Sequence, residues 1–282
     1  MGDDENPFEK FKLSIEMERL IEYQKQMARA VMPMVELQEK IVESMKPIFE
    51  MNTRIKELFE PLANIDWRAL SDAAAERIKY TDGQLKEYGE LLWCLDIETL
   101  AVVEEKQVGI EDLPKHIKES LPEYIEEVLG DPMFALHSSL IKETYAAYNS
   151  GYYKLCIFPL FAVFEHIINS WFDGNIQGES ILITKRPQGR RYHTKINKLV
   201  DGDKGNELNA YIKVFAFSVL RVYLKTFETF GDEPNKELNR HSVAHGFHDY
   251  DSITETDVLK LFQLLKATTI LSYITVEDIN TQ

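Results

Sequence analysis

The chain of 282 residues is 44% apolar and 11% aromatic, enough to fill a core, which excludes wholesale disorder. Its formal charge of −15 would argue against nucleic acid as a partner if it were evenly spread. It is not: residues 1–131 hold 16 basic against 30 acidic side chains, whereas residues 132–282 hold 16 against 17.

The chain begins MGDDENPFEKFK, with no apolar leader. No uninterrupted apolar run approaches the roughly 18 residues of a membrane span, so a cytoplasmic protein without a membrane segment is expected. Cys94 and Cys156 lie in LLWCL and KLCIF and form no CxxC pair, which predicts buried, reduced, structural thiols.

Taken in chain order, the elements predict an all-α fold. Pro33, Pro47 and Pro61 are spaced by 14, and the segments after them repeat: PMVELQEKIVE, PIFEMNTRIKE, PLANIDWRAL. Fourteen is two heptads, so Met17, Leu20, Met27, Met34, Ile41, Ile48 and Ile55 recur on one helical face. Proline inside a helix costs about 3 kcal/mol, so residues 1–65 are expected as a kinked or restarting amphipathic arm. Such an arm serves dimerisation or a protein partner, an antitoxin among them; otherwise it packs on its own chain.

Residues 66–130 predict a helical connector, with DWRALSDAAAERIKYTDGQLKEYGELLWC as one helix and IEDLPKHIKESLPEYIEEVLGD as one or two. Gly130-Asp131-Pro132 suggests a domain boundary. Residues 131–282 predict a helical bundle. FALHSSLIKETYAAYN is amphipathic and stops at Ser150-Gly151, and YYKLCIFPLFAVFEHIINSWF is apolar on nearly all sides, with Glu165 and His166 as exceptions. A third long helix ends at Gly231, a short one runs from about Asn235 to Gly246, and Ser252 with Glu255 suggests a capping box for the last.

No acid occurs between Ile181 and Val200, where Lys185, Arg186, Arg190, Arg191, Lys195 and Lys198 cluster. A basic patch kept by an acidic chain suits a phosphate backbone; the other reading is a solvated loop.

The densest chemistry is NKELNRHSVAHGFHDY, in which Arg240, His241, His245 and His248 stand within nine residues. His241, His245 and His248 have the i, i+4, i+7 spacing of one helical face, a possible metal set, but Gly246 interrupts it and no HExxH or cysteine accompanies it. Histidines near a helix C-terminus also suit the dipole.

Arg240-His241-Ser242-Val243-Ala244-His245 resembles the R-x4-6-H signature of the HEPN (higher eukaryotes and prokaryotes nucleotide-binding) superfamily, over about residues 133–275. The resemblance implies a metal-independent endoribonuclease of bacterial defence or toxin type, needing no cofactor. Arg240 would clamp the phosphate, and His245 would act as general base or acid. His241, Asn239 and Glu165 would support them, Glu165 by a buried ion pair with Arg240. Lys185, Arg186, Arg190, Arg191 and Lys195 would hold the RNA, and His193 would belong to that patch. Such proteins are typically homodimers with facing motifs. A non-catalytic RNA- or nucleotide-binding module, or an adaptor working through the arm, are the alternatives.

Overall fold

The structure, a computed structural model, describes residues 67–174, 176, 189–200, 209–229 and 236–280. The arm at 1–65 with its proline repeat, together with Lys185 and Arg186, lies outside them. Among the described residues every regular element is helical. In chain order they are α1 (Trp67–Glu90), α2 (Ile97–Glu105), α3 (Leu113–Gly130), α4 (Ser138–Asn149), α5 (Tyr153–Phe172), α6 (Gly189–Val200), α7 (Asn209–Thr226), α8 (Arg240–Ala244), α9 (Glu255–Ala267) and α10 (Val276–Asn280). Short 3₁₀ turns occupy Pro132–His137, Tyr250–Ser252 and Thr268–Tyr273.

The described residues from Thr81 onward form one compact unit; α1 up to Tyr80 belongs to another. The Gly130-Asp131-Pro132 turn, a boundary by its local sequence, therefore lies inside the larger unit. The reason is visible in α3, which runs unbroken through Pro122 and buries Leu113, Ile117, Leu121, Ile125 and Val128 along one face. That face packs on α9, so the segments on either side of the turn share one core.

α5 is the central element: Ile157, Leu160, Phe161, Val163, Phe164, Ile167 and Ile168 are all buried against α4, α6, α8 and α9. Each such side chain contributes about 1.5–3 kcal/mol by leaving water. It is the one described helix long and apolar enough to cross a membrane, and most of it is enclosed by the bundle. Its last turn is tied down by Trp171, whose Nε1 donates to the Ile274 carbonyl at 2.7 Å. Both cysteines are buried and free of disulfides, and burial pushes Cys94 up to about 12 and Cys156 to about 11.

A buried polar tie joins α2, α3 and α9. Lys266 on α9, 8% exposed, lies 3.2 Å from Glu98 and from Glu127 and 3.8 Å from Asp96. Its ammonium sits 4.0 Å from the centre of the Tyr124 ring. Burial alone would lower its pKa, but the three carboxylates, Asp96 foremost, more than reverse this and hold it above the ordinary range. Asp96 also caps α2, accepting from Glu98 N–H at 3.0 Å and Thr99 N–H at 3.1 Å, and receives Gln263 Nε2 at 2.8 Å.

Two local expectations are corrected. The cap of α9 is Thr254 with Asp257, whose carboxylate accepts from the Thr254 N–H at 2.9 Å. Ser252 instead donates to the Asp249 carbonyl at 2.7 Å, and Glu255 receives the Tyr148 and Tyr153 hydroxyls at 3.0 and 3.1 Å. Both S-x-x-E and T-x-x-D fit the pattern; the buried Ile253 must precede the helix, which selects the second. The basic stretch at 189–200 is also a helix rather than a loop, because Tyr192 and Ile196, one turn apart, are both buried.

His137 and His166 meet between the turn before α4 and α5, with His137 Nε2 2.9 Å from His166 Nδ1. Burial first, then the neighbouring imidazole, lowers His137 from 6.5 to about 4. Protonation is therefore easier in the unfolded chain, so stability is full above about pH 6.5 and declines as pH falls toward 4. A loss of about 2–3 kcal/mol across that window is expected in urea midpoints, and His137→Gln should flatten it.

Candidate functional site

Arg240–Ala244 folds as a five-residue helix, with His245 as its C-cap, held by side chains at each end. Asn239, in extended conformation, is the N-cap: its side-chain Oδ1 accepts the Ser242 N–H at 2.8 Å, and its Nδ2 donates to the Glu228 carbonyl at 2.9 Å. α8 thus begins at Arg240 and not near Asn235, since the cap needs a non-helical backbone at Asn239. The stop is Gly246 at φ +70°, with Phe247 N–H donating to the Ser242 carbonyl at 2.8 Å and Gly246 N–H to Val243 at 3.4 Å. Tyr250 hydroxyl donates to the Val243 carbonyl at 2.8 Å. Gly246→Ala should cost about 1 kcal/mol, because a Cβ at this φ is strained although the space around it is open. A thermal melt checks it.

Onto this frame the structure brings Arg240, His241, His245, Asn239 and Glu165 together. The ion pair expected on sequence is present: Arg240 Nη2 lies 2.7 Å from Glu165 Oε2, the side chains being 24% and 14% exposed. A carboxylate on a largely apolar helix thus reaches a counter-charge that offsets its desolvation. The guanidinium also lies 6.0 Å from the centre of the Phe227 ring. His241 meets the same ring edge-on at 5.9 Å and stacks toward His245 at 6.3 Å, the two imidazoles inclined by 16°. His245, at the helix C-cap, is exposed.

Burial lowers His241 below its usual value, assisted by Arg240, His245 and His193, so at neutral pH it is an uncharged proton acceptor. His248 leaves the helical face: it is buried, and its Nδ1 lies 3.1 Å from Ser242 Oγ. The i, i+4, i+7 histidine set is therefore not assembled, and among the described residues no three His, Cys, Asp or Glu side chains converge as a metal group.

Of the basic residues, Arg190, Arg191 and Lys195 lie on α6, and Lys195 is exposed with its ammonium 5.7 Å from the Tyr192 ring. α6 packs on α5 and α7, which places His193 where its charge acts on His241.

One residue of the site has no signature in the sequence, and a second takes a place its neighbours do not suggest. Tyr223 on α7 is fully buried, stacks on Phe227 at 4.2 Å, and is raised by burial and then by Glu165. His193, expected with the basic patch, has a buried Nε2 without a hydrogen-bond partner. The spacing of Tyr223 and Phe227, four apart, is a signal of a shared face but not of what that face meets. Comparison with protein-family models, with curated proteins and with solved structures finds no match to this chain.

Proposed function

We propose that the chain is an endoribonuclease that cuts RNA without a metal, with Arg240 and His245 as its centre. The observation that carries this is the fixing of Arg240 by Glu165 beside two histidine rings, one of them exposed and one neutral at pH 7. Cleavage by the RNA's own 2′-hydroxyl needs a group that accepts its proton, and a histidine does so near neutrality. As the oxygen attacks phosphorus, charge grows on the phosphoryl oxygens, and the guanidinium offsets it. The departing 5′-oxygen takes a proton from a second imidazole, leaving a 2′,3′-cyclic phosphate. A second copy of the chain, with its motif facing the first, would supply that group, and the exposed Lys195 would steer the backbone. This chemistry suits a defence or toxin effector.

The test is incubation of the purified full chain with total RNA in EDTA, with the new ends analysed. Cyclic-phosphate ends in EDTA are expected; intact RNA would sink the proposal.

A second reading is a module that binds RNA or nucleotide without cutting it. The observation in its favour is the same ion pair, since an arginine already committed to a carboxylate can be structural. RNA retained in a filter-binding assay but left uncut is its expected result.

A further inference from the structure

We infer that Tyr223 is a positioning residue of this site: its hydroxyl takes up the Glu165 carboxylate when Arg240 leaves it for an oxyanion. The inference rests on the reading of Arg240 as a phosphate-holding group. At rest Arg240 Nη2 is committed to Glu165 at 2.7 Å, so holding a phosphate through that nitrogen means giving up the carboxylate. Glu165, 14% exposed, would then be a charge without a partner in a largely apolar setting, which is strongly unfavourable. A second donor that could turn to the carboxylate would remove that obstacle.

Tyr223 has the properties of such a donor. It is 0% exposed, and its hydroxyl has no hydrogen-bond partner, an uncommon condition for a buried hydroxyl. Its ring stacks on Phe227 at 4.2 Å, the ring over which Arg240 lies, and meets Phe164, the residue before Glu165, at 5.8 Å. Glu165 and then Arg240 are the charges that act most strongly on it. The neighbouring phenol, Tyr192, already donates to Asp173 at 2.6 Å. No proton changes hands in the exchange: the O–H donates, Glu165 stays ionised and Arg240 stays charged.

The experiment titrates inorganic phosphate into the full chain at constant ionic strength and follows the guanidinium and amide resonances around Arg240. Tyr223→Phe should weaken phosphate binding about tenfold, the size of one hydrogen bond to a charged group. Its thermal midpoint should stay level or rise, because no partner is lost at rest. Glu165→Gln, which keeps a carbonyl acceptor but no charge, should tighten binding, and in that background Tyr223→Phe should have no further effect. Equal losses in both backgrounds, no loss in either, or a wild type that phosphate does not perturb at Arg240 would each overturn the inference. RNA cleavage by the same preparations separates the two ideas. Coupling without cleavage removes the nuclease and keeps the Tyr223 role; cleavage without coupling does the reverse.

Discussion

His245→Ala should abolish RNA cleavage, by about 10²–10⁴-fold in rate, while stability stays within about 0.5 kcal/mol of wild type. The separation follows from where the residue stands. His245 is exposed at the C-cap of α8, its backbone at φ −100° and ψ 5° suits alanine, and the helix stop is made by Gly246 and Phe247. Arg240→Ala should also silence cleavage, but at a structural cost of about 2 kcal/mol, because Glu165 keeps its charge and exchanges a guanidinium for the weaker Tyr223 hydroxyl. Adding Glu165→Gln should return most of that stability and none of the activity. Denaturant midpoints read beside cyclic-phosphate yield distinguish the two effects. If both single variants cut RNA as the wild type does, Arg240 and His245 are structural and the binding-module reading takes over.

Lys266→Met should be the most destabilising change away from the site, about 3 kcal/mol in chemical denaturation. The methionine conserves the stem, so packing is nearly unchanged, but three carboxylates lose the ammonium that faces them all. Glu98 and Glu127 are roughly half exposed and can turn to water; Asp96, 8% exposed, is held by the α2 cap and by Gln263. Its backbone and side-chain donors cushion the loss, which keeps the figure at the low end of what breaking a buried pair costs. RNA cleavage per folded molecule should be unaltered. A variant as stable as wild type would show that the network is offset by its own desolvation.

The helical class was legible because hydrophobic period is a local property, and the ends of α4 and of the Arg240 helix were legible because Gly151 and Gly246 take a positive φ that few residues adopt. The Glu165–Arg240 pair was legible for a different reason. A carboxylate among Phe164, Ile167 and Ile168 needs a counter-charge, and an arginine in a motif that itself needs fixing is a natural one. What was hidden depends on tertiary neighbours. Tyr223 looks like any core aromatic until its ring is found against Phe164, the residue before Glu165, and Phe227, the ring over which Arg240 lies; His193 looks like part of a basic run until α6 is seen packing on α5 and α7. The competing caps at Ser252 and Thr254 were decided by the burial of Ile253, and the join at residue 130 by the fit of α3 to α9. Neither has a trace in local pattern.

The Arg240 helix is five residues long, whereas isolated helices below about 12–15 residues scarcely form in water. Its shape is borrowed: Asn239 hangs it from the end of α7, Glu165 from α5, and Tyr250 from the turn before α9. The six letters from Arg240 to His245 are therefore not portable. Grafted onto another bundle they would bring an arginine and a histidine but not the distance between them. The heritable unit of this site is a contact among three helices, and drift in the core of α5 or α7 can retune it while the motif itself stays unaltered.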